Sequence, residues 1–191
     1  MRDDEAIIRA ISSGDEDALL ELMDRYREPV FRLAYRYVGN RVDAANLAEE
    51  VFQKIYFNAD KYRPRSSARS WLFTIAANQC RDFLRREKRQ RHSVSLSVAP
   101  AGQEEAPPLS EQIAGPDRDA ASATQSSELM EAARKAIREL PAKLRFPFVF
   151  CVLEGHSQDT AAEVLRTSRK TVESRIYRAR KELQAALEDR F

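Results

Sequence analysis

Residues 155–187 constrain the fold more than any other stretch, because two unequal helices separated by a three-residue break leave few ways to pack. Ser157 has the side chain to cap a short helix through Ala161, Ala162, Val164 and Leu165, and Asp159 falls in its first turn, where a negative charge suits the helix dipole. Arg166-Thr167-Ser168 interrupts that pattern, and either Thr167 or Ser168 can cap a second, longer helix. This second helix carries an apolar stripe at Val172, Ile176, Ala179, Leu183 and Leu187, steps of four, three, four and four that mark one helical face. Its other faces hold Arg169, Lys170, Arg175, Arg178, Arg180 and Lys181, with Glu173 the single acid between 169 and 181. Such a helix, joined by a short turn to a shorter partner, is shaped to enter a DNA major groove. A terminal bundle helix with a solvated charged face has the same pattern, so the stripe by itself leaves both readings open.

Upstream, residues 15–38 carry Leu19, Leu22, Met23, Tyr26, Val30, Phe31, Ala34, Tyr35 and Val38 at helical spacing, which predicts an amphipathic helix bent near Pro29. Asp43 is expected to cap the next helix, in which Ala44, Leu47, Ala48, Val51, Phe52, Ile55 and Tyr56 share a broad apolar face. Glycine is scarce and no alternating apolar run appears, so strand content should be near zero. The 191 residues allow one or two domains, each half long enough for a modest helical core. The expected architecture is all-α: two small helical domains, 1–91 and 126–191, joined by a flexible linker at 92–125. That linker stands apart by composition, with Pro100, Pro107, Pro108 and Pro116, the acids Glu104, Glu105, Glu111, Asp117 and Asp119 against Arg118, and no sustained periodicity. Fully extended it would span on the order of 110 Å at ~3.3 Å per residue, more than the about 70 Å of two DNA turns.

The formal charge of +2 says little, but its distribution says more. The first sixty residues are acid-rich, while Arg81, Arg85, Arg86, Lys88, Arg89 and Arg91 crowd residues 81–91 against Asp82 and Glu87. With the basic C-terminal helix this makes two cationic blocks far apart in sequence. They suit a protein that grips DNA at two places, since each neutralised phosphate releases counterions.

Gly155, Ser157, Ala162, Leu165, Ser168, Thr171, Val172, Ser174, Arg175, Arg178, Ala179 and Arg180 together resemble the fourth conserved region of bacterial RNA polymerase sigma factors, which contacts the −35 promoter element. The chain departs from that pattern at Arg166 and Lys170, where glycine is usual, and at Thr160-Ala161, where an acid-Ile pair is usual. A similar module ends response-regulator transcription factors, so this half alone does not separate an initiation factor from an ordinary regulator. The segment DAANLAEEVFQKIY at 43–56 resembles the polymerase-binding helix of sigma region two, with Asn46 where an acid is usual and Glu49 where Gln is common. Trp71-Leu72, then Ile75-Ala76-Ala77-Asn78 and Asp82-Phe83-Leu84-Arg85-Arg86, resemble the −10 reader of the small extracytoplasmic-function sigma factors. Both matches fall in the right order, over roughly 5–91 and 125–187.

The resemblance implies a sigma factor that binds RNA polymerase core at its β′ subunit, recognises −10 and −35 elements of promoter DNA, aids melting, and answers to an anti-sigma factor. Asp43, Leu47, Glu50 and Phe52 become candidates for polymerase contact, with Leu47 and Phe52 equally readable as core. Single-stranded bases are held by aromatic platforms, amide edges and a basic track. At −10 these are Tyr62, Arg63, Arg65 and Arg69 before the helix, Asn78 for a flipped base, and Arg81, Arg85 and Arg86 for phosphates. Trp71, among Leu72, Ile75 and Phe83, reads more as core than as a base platform. At −35, Arg169 and Lys170 hold phosphates or the first bases, while Glu173, Ser174, Tyr177 and Arg178 form the base-reading face. Glu173 either accepts from a cytosine amino group or pairs with Lys170 or Arg169 on the helix surface. The alternative is a two-site helix-turn-helix regulator that acts without polymerase, and a weaker third reading is a module that mainly binds a sequestering partner.

Other chemistry has little support. Cys80 and Cys151 sit among apolar neighbours and are expected as buried core thiols, and with His92 and His156 they lack zinc-ligand spacing. No phosphate-cradling glycine loop, nucleophile elbow or paired histidines occur. No metal, cofactor or enzymatic activity is therefore expected. Without a signal peptide or an apolar run of spanning length, the cytoplasm is the expected location and membrane insertion is not.

Overall fold

Most of the helices begin where a side chain accepts their free amides. The computed structural model describes residues 2–64, 67–95 and 120–188, and every regular element among them is helical. Helix α1 (Asp4–Ser12) is capped by Asp3, whose carboxylate accepts from the Ala6 amide, and it buries Ile7, Ile8 and Ile11. Asp15 caps α2 (Glu16–Val38), which runs unbroken through Pro29. Gly39 ends α2 in the left-handed region at φ 81°, and a Cβ there would lie 2.5 Å from Arg138 Cδ. Both the conformation and the close approach call for glycine.

The cap of α3 (Arg41–Asn58) differs from the expectation. Asn40, not Asp43, accepts from the amides of Val42 and Asp43. The chain is extended at Asn40 directly after the Gly39 reversal, so the helix starts earlier and Asp43 falls in its first turn, where the dipole still favours it. A short 3-10 turn (Ala59–Lys61) leads towards α4 (Ala68–Ser95), the longest helix. Helix α4 runs into the start of the expected linker, and α5 (Ala120–Glu139) begins before its expected end. Residues 96–119 of that linker, and Arg65, lie outside the described residues.

After α5 come α6 (Ala142–Phe148) and a turn of π-helix (Val149–Leu153). Pro147 cannot donate a backbone hydrogen bond, and the wider spacing takes over just beyond it, with the Glu154 amide donating to the Val149 carbonyl. The last two helices are α7 (Gln158–Leu165) and α8 (Arg169–Glu188). Ser157 caps α7 through the Thr160 amide, and Ser168 accepts from the Thr171 amide at the start of α8, as the spacing predicts. Arg166 occupies the left-handed region between them, at φ 49° without a glycine.

The apolar faces of the two halves meet. Ile7, Leu22, Leu33, Val51, Ile55, Leu72, Phe73 and Ala77 belong to the same buried cluster as Phe146, Val149, Phe150, Val164 and Val172. A second, smaller cluster of Leu140, Leu144, Phe148 and Ala179 holds α6 to α8. At ~25 cal/mol per Å² of apolar surface, the shared cluster is the main stabilising term for the joint arrangement. Cys80 is fully buried in it, and burial pushes its thiol up to about 12. Cys151 differs from the expectation: it is half-buried, with Sγ 3.9 Å from the Ser157 carbonyl, because the π-turn points it to the margin of the core.

Candidate nucleic-acid interface

Helix α8 divides its surface as its sequence prescribes. Val172, Ile176 and Ala179 are buried, while Arg169, Lys170, Glu173, Tyr177 and Arg178 are exposed and Ser174 is half-buried. Lys143 from α6 joins Lys170, Ser174, Arg175 and Arg178 around a groove of about 500 Å³ floored by Leu144, Ser168 and Thr171. Four cations around hydroxyl groups make an anion-attracting concavity at a helix start. Arg169 leans back to Asp159 at 3.2 Å, which ties the two arms of the motif together. Glu173 makes no ion pair with Lys170 or Arg169 among the described residues, so its carboxylate is free to face a groove. Tyr177 is 61 % exposed, with Lys181 Nζ 5.6 Å from its ring centre.

The second basic surface runs along α4. Asn78 is exposed, and its Oδ1 accepts from Arg81 at 2.8 Å, which fixes the amide's orientation and turns its NH₂ group outward for a further partner. Arg81 also donates to the Ala77 carbonyl. Arg85 pairs with Asp82 at 3.4 Å, and Arg86 spans to Glu50 on α3 at 2.9 Å. That last pair joins a residue expected at polymerase to one expected at DNA, and it locks α3 beside α4. Arg63 donates to the carbonyls of Asp60 and Tyr62. Arg69 is exposed, with its guanidinium over Phe73 and beside His156.

Tyr62 is core rather than surface. It is 8 % exposed and packs edge-on against Trp71, with ring centres 5.4 Å apart. The 3-10 turn rotates it inward against α4, an arrangement its loop position hides. Trp71 is only partly buried and lines a cleft of about 690 Å³ between α3 and α4. Gln53, Lys54, Asn58, Lys61, Asn78 and Arg86 share that cleft. Lys54 and Lys61 went unnoticed in the sequence because a lone lysine beside an apolar face reads as an ordinary solvated residue. Only the packing of α4 against α3 brings them to Asn78.

The candidates on α3 separate by depth. Leu47 and Phe52 are buried, at 2 % and 4 %, while Asp43 and Glu50 are half-buried. Phe52 nevertheless forms one wall of a groove of about 610 Å³ between α2 and α3, with Met23, Asp24, Glu28, Phe31 and Glu49. An apolar floor with Asp24, Glu28 and Glu49 on its rim beside a single cation, Arg27, suits a basic helical partner.

The chain's relatives share this plan. The family description "Sigma-70 region 2" matches residues 22–90, and "Sigma-70, region 4" matches residues 130–183. ECF RNA polymerase sigma factor SigW of Bacillus subtilis is 31% identical over 185 residues, 95% of each chain. ECF RNA polymerase sigma-E factor of Escherichia coli (strain K12) is 29% identical over 177 residues, 93% of this chain and 90% of that one. The fold is similar to that of CnrH, solved in complex with the cytosolic domain of CnrY, with a TM-score of 0.65 at 24% identity over 97% of both chains. It is also similar to the sigma factor RpoE solved with the anti-sigma factor NepR from Bartonella quintana, with a TM-score of 0.57 at 21% identity over 87% of this chain and 98% of that one.

A helix-turn-helix in the C-terminal half and a basic helix in the N-terminal half, each matched to its sigma-70 region, define the class as a bipartite transcription factor. The chain belongs to the extracytoplasmic-function (ECF) RNA polymerase sigma factors, and it directs transcription initiation. No helix among the described residues is long and apolar enough to cross a membrane.

Proposed function

We propose that α2 and α3 dock on RNA polymerase core at its β′ subunit, that α4 reads and helps open the −10 element, and that α8 reads the −35 element. The observation that carries this reading is the presence of two cationic clefts, one at α8 and one between α3 and α4, each next to side chains able to read bases. At α8, Lys143, Lys170 and Arg175 hold phosphates while Glu173, Ser174, Tyr177 and Arg178 meet base edges in the major groove. At α4, Lys54, Lys61 and Arg85 track a single strand, and the Asn78 amide takes an unstacked base beside Trp71. Arg63 and Arg65 precede that cleft and support the same strand.

Polymerase meets the α2–α3 groove. Its rim makes the contact and Phe52 shapes the floor, while Asp43 and Leu47 extend the contact on the face of α3 towards α4. Glu50 acts through Arg86, by holding α3 to α4. The chain itself performs no catalysis, since bond formation belongs to the core enzyme, and it works in the cytoplasm, with an anti-sigma factor as its regulator.

Run-off transcription with core enzyme on a promoter library tests the reading. Defined starts that need both chain and core are expected, with −10 and −35 motifs enriched among active templates. Tight operator binding by the chain alone, unaffected by core, would overturn it in favour of a two-site regulator.

A further inference from the structure

One row of side chains on α4 lines the cleft that faces α3: Trp71, Ile75, Gln79, Asp82 and Arg86, at the three- and four-residue steps of a single helical face. Gln79 is the deep member of that row, at 7 % exposed. The other polar residues buried to this degree are engaged: Ser70 donates to Glu163 and Arg145 to the Leu140 carbonyl. Gln79 makes no side-chain hydrogen bond among the described residues, yet it borders the cleft beside Asn78. Buried amides are normally paired, because an unsatisfied donor and acceptor weaken the fold. An apolar side chain of the same size would fill this place without that cost.

Its two amide neighbours in the cleft divide the work differently. Asn78 stands exposed at the rim, and its Oδ1 is taken by Arg81, so it offers a donor only. Every base carries an acceptor, so a donor alone holds a base without telling one from another. Gln79 offers a donor and an acceptor side by side, the pattern that selects. Once unpaired, adenine meets such an amide with two bonds on either edge, its amino group lying between the ring acceptors N1 and N7. Cytosine offers an amino group beside an acceptor on one edge, and guanine and thymine offer a keto oxygen instead. Gln79 lies about 12 Å along α4 from Trp71, and the Glu50–Arg86 pair at 2.9 Å stands towards the other end of the row. A base that passes Trp71 therefore meets the free amide before that pair.

We propose that Gln79 sets which unstacked base the −10 cleft accepts, that adenine is that base, and that Asn78 holds the base at the rim without selecting it. The inference rests on the −10 reading of α4 above and names the ligand of that site. An adenine in the cleft gives the buried amide the two bonds it lacks in the free chain. A base without the matching pair leaves the amide unsatisfied, and the penalty falls on that base alone.

Run-off transcription by the full chain with core enzyme, on duplex promoters carrying each base in turn through the −10 element, tests the proposal. At one position the wild type is expected to favour adenine by about tenfold. Gln79→Leu and Gln79→Met should level that preference, while thermal unfolding of both variants stays at or above the wild-type temperature. Asn78→Ala should weaken all four bases about equally at that position. Purine in place of adenine, which lacks the amino group, should cost the wild type about tenfold and Gln79→Leu little, a coupling that a purely packing side chain does not produce. A preference unchanged in the Gln79 variants, or one lost at a position that favours another base, would overturn the proposal. A wild-type chain with no preference anywhere in the −10 element would strike at the −10 reading of α4 itself.

Discussion

The N-terminal half packs its helices around a deep core, and the C-terminal half borrows part of that core. Helices α1 to α4 bury Ile7, Ile8, Leu22, Leu33, Leu47, Ile55, Leu72 and Phe73 largely among themselves. Helices α5 to α8 keep only Leu140, Leu144, Phe148 and Ala179 as a cluster of their own, while Phe146, Val149, Phe150, Val164 and Val172 go to the shared cluster. The difference teaches where a hinge can be tolerated. When the halves part, the N-terminal half keeps the contacts among its own four helices, whereas the C-terminal half gives up most of its buried apolar contacts. Arg145 makes the dependence polar as well: it is 7 % exposed, donates to the carbonyls of Leu140, Arg138 and Tyr37, and faces the Tyr37 ring at 5.3 Å. One guanidinium thereby satisfies the C-terminal ends of α5 and α2 together.

The largest expected effect breaks this dependence directly. Phe150 is fully buried, with ring centres 5.2 Å from Phe73 and 5.4 Å from Phe146. Phe150→Ala should cost about 3–5 kcal/mol in urea unfolding. Hydrogen exchange should show the loss concentrated in α6 to α8, with α2 and α3 much less affected. Uniform loss of protection in both halves would mean that they fold as one cooperative unit.

A smaller effect separates the two readers. Asn78→Ala should weaken open-complex formation on duplex promoter by ~1–3 kcal/mol and matter less on pre-melted template, while Arg178→Ala should cost a similar amount at −35 only. Glu173→Ala should change which −35 base is preferred. Equal loss at Asn78 on both templates would assign it a structural part, holding Arg81.

These readers show what the linear sequence discloses. Ser157, Ser168 and the Val172–Ile176–Ala179 stripe act through neighbours within one helical turn, so spacing reveals them, and the apolar faces of α2 and α3 follow the same rule. Cooperation between distant residues leaves no such trace. The Glu50–Arg86 pair is 36 residues apart and Ser70–Glu163 is 93 residues apart, and nothing in either local pattern marks them. Tyr62 looked exposed because it follows a helix end, and only the 3-10 turn carries it inside. Asp43 is not the cap because the chain reverses at Gly39, beside Arg138 of the other half, so that Asn40 caps the helix earlier. The helical fold and the local surface of each half are therefore legible, and the joint packing of the halves is not.

The junction should also respond to pH. His156 is half-buried, and burial, followed by the charges of Arg69 and Arg32, pushes its imidazole down to about 4. In the folded chain it accepts at Nδ1 from Arg69, 3.3 Å away. Unfolded, it titrates near its ordinary value of about 6.5, so between those values the unfolded state binds more protons and stability rises with pH. Above the ordinary value the contribution is constant. It is lost as pH falls from about 6.5 towards 4, by about 1–2 kcal/mol once solvent screening of a half-exposed group is allowed for. Unfolding of the wild type and His156→Gln across that window checks this, and equal slopes would remove the histidine from the junction's energetics.

The smallest expected effect concerns the turn itself. Arg166 ends α7 in the left-handed region at φ 49°, a conformation that crowds its Cβ, and it makes no ion pair among the described residues in return. Its amide still closes the turn on the Glu163 carbonyl at 3.1 Å, a bond that glycine would keep. Arg166→Gly relieves the crowding but widens the choices of the unfolded chain, so the net gain should be only about 0.5 kcal/mol. The same change removes a cation from the rim of the α3–α4 cleft, where Glu50 and Asp82 also stand. Two readouts then part company. If the arginine is merely tolerated, thermal stability rises slightly and two-element transcription is unchanged. If its charge helps to hold α7 over α4, stability stays level or falls while transcription at limiting core rises, and the C-terminal half would owe its position to charge as well as to the core it borrows.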